Sequence, residues 1–283
     1  LTKDKINYPF HLKKKNINES LGIFNLTEFK NKHFKSPIAG SFGAIEFSSE
    51  LPIDIKINFI EKVLDFITTE LKPRIIEVVL SPDIYNLEDN SFSLNTFFRK
   101  KFIIDRIETN QYIDLRKYRL ERDVSYGNRK RIKNSINKGI QFSKLEKIDY
   151  FRAFKVIVDN RARRGFPLTM KWESLEEMIS AFNDKLYFFG LQEKKEIIAS
   201  AICINVFPNL LYVFYWGEIS GYEKLSPIAL LSNKLVEYCI KNNFEILDIG
   251  TSSERSNPNI GLLKFKKNIG CNTCNKFYLK KNL

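Results

Sequence analysis

Cysteine is scarce in this sequence, with 4 among 283 residues. That is too few for a disulfide scaffold and fits a reducing compartment. Two of them, Cys203 in ASAICINVF and Cys239 in LVEYCIKNN, fall in apolar periodic segments. Histidine is scarcer still: His11 and His33 are the only two, both far along the chain from the pair Cys271 and Cys274. A Cys-x-x-Cys pair with no second ligand pair at matching spacing is not a zinc signature, so no metal is expected. The pair opens a predicted last strand, where residues three apart face opposite sides, and it follows a helix end instead of beginning a helix. Both cysteines therefore read as ordinary reduced thiols. Long apolar runs are also missing. RIIEVVL and NLLYVFYW are too short to span a bilayer, and LTKDKINYPFHLKKK at the start holds no signal-peptide core. The expectation is a soluble, cytoplasmic chain without stable membrane insertion, with the inner face of the membrane as a further place of work.

What the sequence has in excess is positive charge. Lys+Arg number 46 against 33 Asp+Glu, a formal net charge of +13. Phosphate-bearing partners follow: nucleic acid, a coenzyme, a nucleotide sugar or an anionic membrane surface. Lys, Asn and Ile recur throughout, so part of the excess is background. The stretch NRKRIK has the composition of a nucleic-acid patch. No homeodomain, zinc-finger or RNP signature accompanies it, and the aromatics lie in core-like runs away from the basic residues. A basic polyanion-binding protein without catalysis is the reading of a different class, and its binding would fall steeply with salt. With 43% hydrophobic and 13% aromatic residues, the chain can bury the core of one large domain or two ordinary ones.

A repeat divides the chain. In the first half, strands LGIFNLTEF and GSFGAIEFSS precede a helix in PIDIKINFIEKVLDFITTELKPR, where Ile60, Val63, Leu64, Ile67 and Leu71 recur at helical spacing between Pro52 and Pro73. A strand IIEVVLSP, a helix NSFSLNTFFRKKF and an alternating strand DRIETNQYIDLRK follow. The second half gives a three-strand meander, KLYFFGLQEKKE, IIASAICINVF and NLLYVFYWGEIS, then a helix with the stripe Ile228, Leu231, Leu235 and Cys239. Strand FEILDIGTS, helix NIGLLKFKKNIG and strand CNKFYLKK complete it. Two copies of one α/β unit are expected, a first over 1–120 and a fuller second over 121–283. Ahead of the second meander come a short basic helix ending at Gly139, a strand, and two helices in DYFRAFKVIVDNRARRGFPLT and KWESLEEMISAFN.

That second order, strand, helix, helix, three-strand meander, helix, strand, helix, strand, is the order of the GNAT acyltransferases. The whole chain, over roughly residues 20 to 280, resembles the tandem-GNAT, Fem-type aminoacyl transferases and related acyltransferases of cell-envelope polysaccharide pathways. The resemblance rests on SPIAGSFGAIEF, NRKRIKNSINKGIQF, SPIALL, LDIGTS and LLKFKKNIG. It implies an α/β fold of two tandem GNAT-like domains, each a mixed, mostly antiparallel sheet flanked by helices. It also implies an acyl-CoA site, for acetyl-CoA or another acyl-CoA, at Lys224, Ser226, Pro227, Ile228 and Ala229. These stand where the family carries a Gly-containing diphosphate loop at a helix N-terminus. Proline here replaces the glycine and removes one N–H, although it suits the first helical position after a capping serine. Lys266 stands where Fem-type enzymes carry a lysine implicated in the reaction, a cation that would stabilise a developing oxyanion. Lys264, Lys266 and Lys267 read equally as a solvated basic helix face.

Acyl transfer to an amine needs the ammonium deprotonated. Glu218, Asp248 and Glu254 fall at or beyond the ends of the fourth and fifth strands of the second copy. Asp248, flanked by Leu247 and Ile249, needs a partner in an interior strand, either a substrate group or loop N–H groups near Gly250. Tyr215, counted with the catalytic set, and Trp216 are candidates to stack on a sugar or pantetheine arm, one of the two facing the core. Arg129, Arg131 and Arg164 suit a diphosphate, and Ser36 and Ser41 are polar contacts for the acceptor. The expected function is transfer of an acyl group from acyl-CoA to an amino sugar or cell-envelope precursor carried on a nucleotide or lipid diphosphate. Aminoacyl transfer from tRNA to a peptidoglycan precursor is the alternative, disfavoured by the lack of a heptad-bearing arm.

Overall fold

The computed structural model describes residues 5–14, 19–38, 40–43, 45–166, 168–182 and 184–283. They form two units, the first made of residues up to Asn110 with Ser253–Pro258 and Cys274–Leu283, the second of Gln111–Ser252 with Asn259–Thr273.

In the first unit, β1 (Ile6–Lys13) pairs antiparallel with β2 (Ser20–Phe29), which carries β3 (His33–Ser36) and the short β4 (Ile45–Phe47). β3 runs parallel to β5 (Ile75–Val79), and β5 is antiparallel to β14 (Asn272–Asn282), the last strand of the chain. Beside β14 lies the first part of β6 (Ile103–Asp114). Helix α1 (Ile53–Phe66) forms where the sequence spacing places it, and Ile60, Val63, Leu64 and Ile67 pack against Phe24, Phe34 and Ile76. Pro52 precedes its first turn, where a missing N–H costs nothing. α2 (Leu87–Arg99) is capped by the Asn86 side chain, which accepts the Asp89 N–H at 3.0 Å. β1 and β3 are not legible from periodicity. β1 holds Pro9 and is largely exposed, and β3 has only four residues. Among the described residues of the expected strand GSFGAIEFSS, which leave out Ala44, Ile45–Phe47 pair with β2, while Gly40 turns at φ +101° and the Gly43 N–H goes to Val79 O. A hairpin of β12 (Ser253–Glu254) and β13 (Asn257–Pro258) docks on β6. Ser253 Oγ accepts the Thr109 N–H at 2.7 Å and donates to Glu108, while Ser256 Oγ accepts the Ile107 N–H at 3.1 Å.

The second unit holds α3 (Leu120–Asp123), α4 (Tyr126–Asn137), β7 (Gln141–Lys144), α5 (Tyr150–Arg163) and α6 (Trp172–Ala181). The meander β8 (Leu186–Glu193), β9 (Glu196–Phe207) and β10 (Leu210–Glu218) follows, then α7 (Pro227–Lys241), β11 (Ile246–Thr251) and α8 (Ile260–Asn268). Strand order is β7-β8-β9-β10-β11, with the remainder of β6 beside β11. β7 to β10 are antiparallel and β10 to β11 parallel. The run IIASAIC of β9 is buried throughout because the sheet is covered on both faces. On one face α7, with its Leu231, Leu235 and Cys239 stripe, and α4 share a core with Phe189 and Leu211; on the other, Phe154 and Ile157 of α5 and Leu175 of α6 pack on Phe188 and Ile202. Gly139 at φ +78° closes α4 as expected.

Against the sequence boundary at 120/121, the second unit begins at Gln111 and cedes Cys274–Leu283 to the first. The reason lies in hydrogen bonds. β14 pairs residue by residue with β5, while the Leu115 N–H, just past β6, bonds Glu245 O at 2.8 Å. Among the described residues no helix is long and apolar enough to cross a membrane.

Candidate active site

β10 and β11 pair only across Leu210–Tyr212 and Ile246–Asp248. Beyond that point β10 stays bonded to β9 as far as Glu218 while β11 continues to Thr251, so the two strands part and leave a cleft in the sheet. Its β11 wall is a fixed turn. Gly250 sits at φ +77° against Tyr212, and its N–H donates to Asp248 Oδ1 at 2.8 Å. Asp248 is fully buried, so of the two partners expected for it the loop N–H is present. From α8, Lys266 Nζ donates to the carbonyls of Ile249, Gly250 and Thr251 at 3.0, 2.9 and 3.0 Å. Lys266 is only 2% exposed, which separates it from a solvated helix face. Burial pushes its ammonium down to about 8, against the opposing pull of Cys271 and Asp248, so it stays charged at neutral pH and gives all three N–H bonds to these carbonyls. Cys271 beside it is pushed up to about 12 by burial and stays a thiol. Cys274 is half-buried on β14.

The N-terminus of α7 lies at the end of β10. Lys224 is exposed, on a short turn over Glu223–Leu225. Ser226 occupies the N-cap position, but its left-handed backbone at φ +51° is not the extended conformation from which a cap side chain reaches back, and the expected side-chain cap is not made. Pro227 has no N–H. The Ile228 N–H faces the Glu218 carboxylate and favours its charged form, and the Ala229 N–H donates to Ser226 O at 2.9 Å. Glu218 also accepts from Arg164 Nη2 at 3.0 Å, while its main-chain oxygen accepts from Asn160 Nδ2 at 2.8 Å and Arg163 Nη2 at 3.0 Å. Burial pushes the Glu218 carboxyl above its usual range, with Arg164 and the Ile228 N–H acting against that. A carboxylate of the chain itself thus takes the place that a helix N-terminus offers to an anion. As arranged, residues 224 to 229 do not fit a coenzyme A diphosphate: Pro227 has no N–H, the Ala229 N–H is bonded to Ser226 O, and the Ile228 N–H faces a carboxylate that already sits there. Gly217 lets α5 come this close, because a Cβ would lie 2.9 Å from both Asn160 Cβ and Ile157 Cα.

Tyr215 and Trp216 face opposite sides, Tyr215 towards the α5 core with Arg161 6.0 Å over its ring, Trp216 towards the α7 core. Arg129 does not stand open for a diphosphate, since Nη1 donates to Val124 O at 2.7 Å and to Glu121 O. Arg131 is exposed and reaches Asn128 Oδ1 at 3.3 Å. Ser36, Ser41 and Glu254 belong to the first unit. Ser36 is buried, with no hydroxyl partner among the described residues; Ser41 is half-buried; Glu254 is exposed on its hairpin. The structure therefore gathers two groups in the second unit, Lys266 with Asp248 and Glu218 with Arg164 and the α7 terminus. Sequence reasoning missed Asn160 and Arg163. Their only signal, NRARR at a helix end, reads as ordinary compensation of the helix dipole.

No protein-family model matches the sequence, and no curated protein matches it. Solved structures do. FemX aligns at 11% identity and a TM-score of 0.73, over 99% of this chain and 89% of its own. L-PGS from Bacillus licheniformis aligns at 10% identity and a TM-score of 0.64, over 93% of this chain and 81% of its own, and the C-terminal domain of a putative lysylphosphatidylglycerol synthetase from Agrobacterium fabrum at 10% identity and a TM-score of 0.62, over 93% of this chain and 81% of its own. A tandem GNAT protein from the clavulanic acid biosynthesis pathway aligns at 7% identity and a TM-score of 0.51, over 100% of this chain and 84% of its own. The chain has the mixed α/β, GNAT-like, Fem-like fold over its whole length.

Proposed function

We propose that the protein transfers an aminoacyl group from an aminoacyl-tRNA to an amino group on a cell-envelope precursor, an amino sugar or peptide carried on a diphosphate. The observation that carries this reading is the α7 terminus closed by Glu218 and Arg164, which disfavours an acyl-CoA donor in a fold otherwise suited to one. Two neighbours, named FemX and a putative lysylphosphatidylglycerol synthetase, support it. A net charge of +13 suits tRNA.

In the reaction the acceptor amine, once deprotonated, attacks the ester carbonyl. A C–N bond forms, the C–O bond to the ribose breaks, and the ribose oxygen leaves with a proton. The raised Glu218 carboxyl at the end of β10 is the better proton acceptor for being buried. Lys266 is a positioning residue, holding the three carbonyls of the β11 wall. The donor is tested by thermal-shift titration of the protein with free coenzyme A and acetyl-CoA. The expected result is no saturable rise in melting temperature at millimolar ligand. A saturable rise, lost in Lys224→Ala, overturns the reading and restores acyl-CoA.

A further inference from the structure

At the opposite end of β11 from the cleft, where the Leu115 N–H meets Glu245 O, the second unit has a pocket of about 420 Å³. It lies within the usual range for small-molecule sites, roughly 300–1,000 Å³. Neighbouring lysines of α8 diverge: Lys266 turns into the β11 carbonyls, whereas Lys267 lines this pocket with Lys117 and Arg122. Two carboxylates are also in the wall, but both are already answered. Asp114 is held by Arg116 through two bonds of 2.9 and 3.1 Å, and Asp123 by Arg122 at 2.7 and 2.9 Å. With Arg116 and Arg122 matched to Asp114 and Asp123, Lys117 and Lys267 remain. Both are exposed, and among the described residues neither ammonium sits in a direct ion pair; Lys117 acts on Asp114 and Lys267 on Asp123 only across a longer distance. Tyr118, 9% exposed, forms part of the wall, and its hydroxyl has no partner among the described residues, a buried donor that calls for an explanation. Its ring is fixed by Gly270 at φ +101°, where a Cβ would lie 3.0 Å from Tyr118 Cε2.

We propose that this pocket binds the phosphate of a nucleotide-sized ligand between Lys117 and Lys267. Two ammonium groups outside direct ion pairs, beside carboxylates already bonded by Arg116 and Arg122, in a concave site with a phenol in its wall, match a phosphomonoester or phosphodiester and leave a neutral nucleoside with little to hold it. The shared chemistry admits two sources, a free nucleotide and the terminal nucleotide of an RNA strand. The site stands independently of the donor reading, since none of its residues belongs to the cleft or the α7 terminus.

Isothermal titration of the full chain with AMP, inorganic phosphate, adenosine and a short CCA-ended oligoribonucleotide tests the proposal, on the wild type and on Lys117→Ala/Lys267→Ala. These lysines are on the surface, so the variant keeps its fold. The expected result is saturable binding of AMP that weakens about tenfold or more in the double variant and is unchanged in a Lys147→Ala/Lys155→Ala control, with adenosine not bound. Oligonucleotide binding that displaces AMP assigns the site to RNA; AMP binding without such competition assigns it to a free nucleotide. No binding of AMP or phosphate, equal binding by adenosine, or undiminished binding in the double variant overturns the proposal.

Discussion

Lys266→Ala lowers the stability of the protein by about 3 kcal/mol or more, and the melting temperature by roughly 6–12 °C. The substitution leaves three carbonyls, of Ile249, Gly250 and Thr251, without the donor that now meets them at 2.9–3.0 Å. Each buried polar group left unpaired costs about 1–3 kcal/mol, and loss of the lysine stem adds a cavity. The loss is local to the β11 wall, so transfer activity falls even at temperatures where the variant is folded. Denaturant unfolding of wild type and variant measures the effect. A change below about 1 kcal/mol contradicts the clamp and returns Lys266 to the helix surface.

The same side chain gives stability an unusual dependence on pH. The folded Lys266 ammonium lies at about 8, below its ordinary 10.5. Below pH 8 both folded and unfolded chains hold the proton, so this group adds no slope. Between about 8 and 10.5 the unfolded chain holds it and the folded chain does not, so stability from this group rises with pH, by about 3 kcal/mol across the window. Tyrosines and cysteines that also titrate at alkaline pH are shared with Lys266→Met, and subtracting the variant's profile removes all but Cys271, whose titration depends on the Lys266 charge; a Cys271→Ser background in both proteins removes that one. The stability difference, wild type minus Lys266→Met, is therefore expected to climb from pH 8 towards 10 and to be flat below 8. A flat difference throughout shows a lysine with an ordinary ammonium.

The periodic part of the fold was legible before any coordinates. The α7 stripe, the β9 run and the Gly139 stop each follow from spacing that only one local structure satisfies. Lys266 was singled out by resemblance, yet LLKFKK alone does not tell a buried lysine from its exposed neighbours Lys264 and Lys267; only packing of α8 on the end of β11 does that. The Glu218–Arg164 pair, 54 positions apart, carries no local signal. For the same reason the sequence pointed to coenzyme A at Ser226–Ala229: a helix start was visible, but the carboxylate that fills it was not. The exchange of β14 into the first unit is equally silent, because a strand's sequence does not name its partner.

The donor is decided most directly by a transfer assay run in parallel with tRNA charged with labelled amino acids and with labelled acetyl-CoA. Both are offered to nucleotide-linked amino sugars and lipid-linked peptidoglycan precursors. The expected result is label reaching the acceptor from tRNA only, abolished by ribonuclease and reduced in Glu218→Ala. Label arriving from acetyl-CoA, and none from charged tRNA, contradicts the closed α7 terminus as the feature that sets the donor.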